Sequence, residues 1–344
     1  MKNSIIQKSG VEVYDFFSTH IEIQTERTVV MMTNKVADIV NNNLSPKIII
    51  NLSRTNDIRY INKFFEAVNT KLNHGGYFIG CFETLSSRRE RLPQGTMPLI
   101  GGLVSTTDFL INRVLPKTIG LKRIYYYFTQ GRIRLLSKAE ALGRLVCCGF
   151  EIIACKTIKG LTYFVARKVK APTFDMHPSY GAFYKMPRMG KNGKTVGIYK
   201  LRTMHPYSEY LQDYVLKQNG YAASGKPAED FRLTSWGKFM RKYWLDELPQ
   251  LLNLLKGELK LVGVRPITTR YFQDLPDDLK KLRMKQKPGC IPPYIALNKG
   301  GSLENVIQAE NDYLMEKARN PYFTDTKYFF MAIYNILVRQ IRSA

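Results

Sequence analysis

The run Leu245-Asp246-Glu247-Leu248-Pro249-Gln250 leads into an apolar repeat at Leu248, Leu251, Leu252 and Leu255 and closes at Lys256-Gly257-Glu258. The repeat has helical spacing, Pro249 falls in the first turn and Gly257 marks the stop, so the spacing predicts Asp246 at a helix N-terminus. A carboxylate in that position caps free amides and stays ionised. The same amides attract phosphate, while Glu247 points elsewhere and suits a metal or the orientation of a second group. Taken alone, the tetrapeptide also fits an ordinary helix cap. It is accompanied by basic residues on both sides. Arg188-Met189-Gly190-Lys191-Asn192-Gly193-Lys194 is a glycine-punctuated turn before a strand-like Val196 to Met204 that carries Lys200 and Arg202. Arg232, Lys238 and Arg241 precede the acidic pair, and Leu261-Val262-Gly263-Val264-Arg265-Pro266 follows it.

The elements upstream read as α/β. Lys47 to Leu52 is a short buried strand, Ile58 to Leu72 has helical spacing through Ile61, Phe64, Phe65, Val68 and Leu72, and Tyr77 to Phe82 resumes as a strand. Ser137 with Glu140 three residues later predicts a capping box for a helix over Lys138 to Cys147. Phe150 to Cys155 and Leu161 to Ala166 then predict a hairpin. The stretches "GGYFIGCFET" and "LSKAEALGRLVCCGFEI" resemble the C-terminal half of class I methyltransferases. No glycine-rich strand-to-helix turn precedes residue 47, so the expectation is a Rossmann-like scaffold that does not cradle adenosylmethionine or a pyrophosphate. Arg167 to Ser179, with Pro172 and Pro178, reads as a linker. The expected division is a Rossmann-like accessory domain over 1–170 and a catalytic domain over 171–344.

Composition bounds the partners. The 344 residues carry 52 Lys and Arg against 28 Asp and Glu, a formal charge of +24 divided between both halves, with 44% hydrophobic residues. That balance excludes disordered, collagenous and coiled-coil chains and favours polyanions: nucleic acid, nucleotide phosphates or an anionic membrane face. Five cysteines without CxxC or His-rich spacing predict neither a disulfide framework nor a zinc site, and a reducing compartment. No stretch reaches the ~18 apolar residues of a spanning helix. The longest charge-free apolar runs are Met97 to Thr107 and Tyr328 to Val338. Tyr328 to Ile341, flanked by Lys327, Arg339 and Arg342, is the first candidate for an interfacial helix and Met97 to Pro116 the second.

From about Tyr184 to Arg342 the order of motifs resembles the bacterial sugar transferases, the monotopic phosphoglycosyl transferase superfamily. The matching motifs are "RMGKNGK", "IYKLRTM", "RKYWLDELPQLLNLLKGELKLVG" and "VRP". The resemblance implies an α+β phosphoglycosyl transferase domain following the α/β Rossmann-like one. It implies transfer of a sugar 1-phosphate from a nucleotide diphosphate sugar to polyprenyl (undecaprenyl) phosphate, with magnesium and a covalent aspartyl intermediate, in exopolysaccharide, capsule or glycan synthesis. Carried over, Asp246 is the nucleophile and Glu247 its partner for metal or proton placement. Arg188, Lys200, Arg202, Arg241, Arg265 and Pro266 become substrate-binding residues, since a planar guanidinium suits bidentate phosphate contact. Asp312 and Asp325 fit the family's spaced aspartates, with Asp325 expected as a metal ligand beside Glu247. The implied place is the cytoplasmic face of the inner membrane, with an anionic membrane surface as partner, no nucleic acid, and a homodimer left open.

Three features depart from the family pattern. The ~20 apolar residues of a re-entrant helix expected before the glycine turn are replaced by "VARKVKAPTFDMHPSYGAFY"; the arginine-proline turn lacks the first of two prolines; and Lys287-Pro288-Gly289 is followed by Cys290-Ile291-Pro292-Pro293-Tyr294. The alternative of a catalytically weak nucleotide-sugar or membrane-binding partner draws on these departures, and the intact Asp246-Glu247 pair opposes it. Nucleic-acid binding rests on charge alone.

Overall fold

The computed structural model describes residues 1–25, 27–41, 44–91, 98–118, 120–174, 180–220 and 227–339. Asp175 to Ser179 of the expected linker, Met97 of the first apolar run, and Ile341 and Arg342 of the last helix candidate lie outside the described residues. The chain divides into two compact units. The first comprises Met1–Tyr180 together with His205–Gly220 and Pro227–Arg232, and the second is built mainly from Gly181–Met204 and the chain from Leu233 onward. This replaces a single cut at residue 170: two short segments from the second half of the chain fold with the first unit.

In the first unit, β1 (Thr28–Met31), β2 (Ile48–Arg54) and β3 (Tyr77–Phe82) run parallel, and the hairpin of β4 (Phe150–Ile158) and β5 (Leu161–Lys168) adds antiparallel in the order β1-β2-β3-β5-β4. The expected strands and helices therefore form, with boundaries moved by a few residues. Strand alternation sends Ile49, Phe78 and Phe164 to one face and Ile48, Ile50, Ile79 and Val165 to the other. The helices Ile61–Lys71 and Lys138–Cys147 cover the first face, where the Phe78 ring meets those of Phe65, Phe150 and Phe164 at 5.3–5.7 Å. Burying each such ring contributes roughly 1.5–3 kcal/mol. The helix Val11–His20 covers the second.

Ser137 caps its helix as the spacing predicts, accepting from the Glu140 amide at 3.0 Å. Glu140 does not return the bond to the cap as a capping box would. Its carboxylate, 1% exposed, is instead surrounded by Arg113, Lys117 and Arg144. Burial alone would raise its pKa, but the three cations outweigh that and hold it well below the ordinary Glu value. Its contribution to stability is thus present above the unfolded value and lost as pH falls through the depressed one. Ser137→Ala is expected to lower unfolding free energy by about 1 kcal/mol, measured by urea denaturation, because one helix amide loses its acceptor. Gly143, inside the same helix, lies so close to the Tyr207 carbonyl that a β-carbon would collide with it, and this close approach seats the returning segment His205–Gly220.

The second unit has two small sheets, the hairpin of β6 (Phe183–Met189) and β7 (Thr195–Leu201) and the parallel pair β8 (Lys260–Val262) and β9 (Gly289–Ile291). The basic glycine turn joins β6 to β7, with Asn192 and Gly193 both at positive φ. The helices Leu303–Arg319 and Phe323–Leu337 pack Tyr313, Leu314, Tyr328 and Ala332 against Val262 and Ile295. Among the described residues, no helix is long and apolar enough to cross a membrane.

Candidate active site

Asp246 lies in a 3-10 turn, Leu245–Glu247, and the α-helix proper starts at Gln250 after Pro249. It is therefore not the helix N-cap that the spacing predicts. The turn displaces it by about one helical turn and Trp244, at φ 59°, reverses the backbone into it. A bulky residue in this left-handed region costs roughly 1–2 kcal/mol, and such strain is concentrated where a fold must aim a functional group. Asp246 is 9% exposed. Burial raises its carboxyl above the ordinary Asp value and Glu247 adds to this, while Lys200 and Arg241 pull the other way.

Lys200, on β7, places its ammonium 2.5 Å from Glu247 Oε1, and Gln250 Nε2 donates to Glu247 Oε2 at 3.0 Å. The fully buried Asn253 locks the following helix to β7, donating to the Gly197 carbonyl at 2.8 Å and accepting from the Tyr199 amide at 3.0 Å. The acidic pair and Lys200 are thus fixed by one strand–helix joint. Gly289 has no room for a β-carbon because the Gly263 backbone abuts it, and Gly289 and Cys290 of β9 stand in the cavity wall.

Glu247, Lys200, Arg188, Arg265 and Pro266 all line one cavity of about 700 Å³, along with Trp244, Tyr271, Cys290 and Tyr294. Arg265 Nη1 donates to the Tyr294 hydroxyl at 3.2 Å. Its backbone carbonyl accepts from Arg283 Nη2 at 2.6 Å, and Arg283 is itself paired with the buried Glu310. Burial lowers the Arg188 guanidinium pKa, and the neighbouring charge of Arg265 adds to this. A half-buried guanidinium and an exposed one in the same wall favour an anion between them.

Asp246 does not itself line the cavity, although the adjoining Glu247 does, and three further expected site residues lie elsewhere. Arg202 does not line the cavity: its Nε donates to the Gly181 carbonyl at 3.0 Å and its guanidinium sits over the Tyr184 ring. Arg241 donates to Thr203 Oγ1 at 3.0 Å, and its charge acts to lower the Asp246 carboxyl. Asp325 accepts from the Tyr313 hydroxyl at 2.6 Å and pairs with Lys317 at 2.9 Å and Lys260 at 3.4 Å. Burial would raise it, but these partners hold it below the ordinary Asp value. This carboxylate ties the last two helices to β8 and is absent from the cavity wall. Asp312 pairs with Lys299 at 2.9 Å at the surface. Among the described residues, no group of three or more His, Cys, Asp or Glu converges as a metal site.

Sequence reasoning did not single out Trp244, Gln250, Asn253, Arg283, Glu310 or Tyr294. Arg283 and Glu310 stand 27 residues apart, a spacing without periodic meaning, and only the fold joins them.

Residues 152–339, more than half the chain, match the family model described as bacterial sugar transferase, and the chain belongs to that family. It is 47% identical over 91 residues to an uncharacterized sugar transferase of Haemophilus influenzae, covering 25% of this chain and 19% of that protein. It is 39% identical over 113 residues to the undecaprenyl-phosphate galactose phosphotransferase of Salmonella typhimurium, covering 31% of this chain and 24% of that one. Against the uncharacterized sugar transferase EpsL of Bacillus subtilis it is 30% identical over 200 residues, 57% of this chain and 83% of EpsL. The chain spans about a fifth to a quarter of the length of the first of these relatives. The family match begins inside β4, so it takes in part of the first unit as well as the second.

Proposed function

We propose that the chain transfers a sugar 1-phosphate from a nucleotide diphosphate sugar to polyprenyl phosphate at the cytoplasmic face of the inner membrane, initiating exopolysaccharide, capsule or glycan synthesis. The observation that carries this reading is the buried Asp246 next to Glu247, which itself lines the cavity together with Lys200, Arg188 and Arg265. An oxygen of ionised Asp246 attacks the sugar-bearing phosphorus, the phosphoanhydride bond breaks, and a nucleoside monophosphate leaves with the electron pair. The terminal oxygen of polyprenyl phosphate then attacks the same phosphorus and releases the Asp246 carboxylate. Lys200, Arg188 and Arg265 neutralise phosphate charge, and rigid placement of Glu247 by Lys200 and Gln250 orients the donor. The adjacent carboxylates of Asp246 and Glu247 fit magnesium in its usual mode of one or two carboxylates plus water and substrate phosphate, where it supplies further charge neutralisation. Asp325, which does not line the cavity, does not belong to that set.

The test is a release assay over a panel of nucleotide sugars, with and without polyprenyl phosphate, coupled to mass spectrometry of the protein. Nucleoside monophosphate release without lipid and a sugar-phosphate adduct on the Asp246 peptide are expected. Donor binding without release from any sugar would sink the transferase reading in favour of a binding partner.

Membrane contact has support in the exposed side chains of this unit. Leu248, Leu251, Leu252 and Leu255 are 46–83% exposed, while the buried positions of their helix are Gln250 and Asn253. The apolar face is thus turned outward, the reverse of a core helix. Trp236 and Phe239 of the preceding helix are also exposed, with Lys238 and Lys242 in the same helix. In the last helix Tyr328 and Ala332 are buried but Phe330, Tyr334 and Leu337 are exposed. Flotation with anionic vesicles is expected to be strong at low salt and to fall sharply at high salt, since surface charge steers the contact. Leu251→Ser with Leu255→Ser should weaken capture at every salt concentration. Salt-resistant binding that yields only to detergent would point to an inserted segment instead.

A further inference from the structure

A second cavity, of about 430 Å³, belongs wholly to the first unit and lies where the chain leaves the carboxyl end of β2 and enters the helix Ile61–Lys71. In open α/β sheets this is the side on which ligands bind. Its wall carries Arg59, Lys63, Lys117, Lys122, Arg134 and Arg144 against only two carboxylates, Glu66 and Glu140. Glu140 is already shared among three cations, with Lys117 Nζ and Arg144 Nη2 each 2.9 Å from it. Arg134 and Arg144 are 9% and 6% exposed, and the Nε of each is buried without a hydrogen-bond partner. The helix Ile61–Lys71 starts at the cavity with no side chain capping it, so its first amides add to the positive end.

Arg59, Lys63 and Lys122 are open to solvent, whereas Arg134 is buried with carbonyl and hydroxyl acceptors in place of a carboxylate, and burying a cation costs several kcal/mol unless an anion answers it. Tyr60, Tyr126 and Tyr180 complete the lining with aromatic surface. We infer that this cavity is a second ligand site, distinct from the sugar-transfer site, that takes a small molecule bearing a phosphate or diphosphate group. It works with side-chain cations in place of a glycine-rich phosphate loop. The environment also marks one residue: burial and the neighbouring Arg113 and Arg144 bring the Lys117 ammonium down to about 7 despite Glu140. Lys117, which lines the cavity, is the residue whose labelling reports occupancy.

The experiment labels the full chain with acetic anhydride at neutral pH and follows the Lys117 peptide by mass spectrometry. Pyrophosphate and ADP are each expected to slow Lys117 labelling at least ~5-fold at saturation, and adenosine to leave it unchanged. Pyrophosphate without ADP protection would limit the site to free phosphates, ADP without pyrophosphate protection to nucleotides, and either supports the inference. In the exposed double variant Lys63→Ala with Lys122→Ala, the half-protecting concentration should rise at least ~3-fold. Labelling unaffected by both anions, equal protection by adenosine, or an unchanged half-protecting concentration in the double variant would overturn it. Lys200 is carried on a different peptide, so ligand bound at the sugar-transfer cavity is read separately.

Discussion

Asp246→Asn is expected to lower sugar-phosphate transfer by about 10³-fold or more, with no adduct formed, while the protein stays folded. An amide of the same shape cannot become an acyl phosphate, and losing the nucleophile removes the path instead of slowing it. The electrostatics of the turn make the result diagnostic. Because burial raises the Asp246 carboxyl above its unfolded value, its ionised form costs stability at every pH above the folded value. The asparagine variant should therefore melt at the same temperature or higher, and a drop in activity with no drop in melting temperature separates chemistry from folding. The wild-type enzyme should begin to lose activity on acidification at a pH above that set by an ordinary Asp. A near wild-type rate in the asparagine variant would show that the covalent assignment is wrong.

Arg265→Lys should reduce kcat/KM by about 10-fold or more, equivalent to about 1.5–3 kcal/mol for a charged hydrogen bond. The lysine keeps the charge and loses the planar fork. Arg265 is well suited to the test because its guanidinium is braced by Tyr294 and its carbonyl by the Arg283–Glu310 pair, so little rearrangement is available to rescue the geometry. Steady-state kinetics with varied donor would show the loss, and unchanged donor KM and kcat would remove Arg265 from the site.

Much of the architecture is legible in the residues. The strand at Tyr77, the helix at Ile61 and the cap at Ser137 follow from local periodicity and side-chain chemistry, because each element buries its face against its sequence neighbours. The site is legible where motifs are contiguous, as with Asp246-Glu247 and Arg265-Pro266. It is misread where a residue's role depends on partners far along the chain. Asp325 looks like a free carboxylate until Lys260, Lys317 and Tyr313 are brought to it. Glu140 fits a capping box until Arg113 and Lys117 arrive from an earlier segment. The leucines after Asp246 have the period of a core helix, and period alone carries no sign to say whether that face points inward or outward.

The return of His205–Gly220 and Pro227–Arg232 to the first unit bears on synthesis and on modular exchange. Tyr207 there accepts a 2.7 Å hydrogen bond from Asn62, and Leu211 and Val215 belong to the same apolar cluster as Phe64 and Leu142. A ribosome that has released only the first 180 residues has therefore not yet made everything the first unit needs, and its core closes only after residue 232 emerges. By then β6 and β7 of the second unit have already been translated. The two units are interleaved along the message, so a fragment ending at residue 180 would leave Gly143 and the tyrosine-lined side of its helix bare. Recombination that moved the transferase unit as a cassette would have to carry part of its neighbour with it.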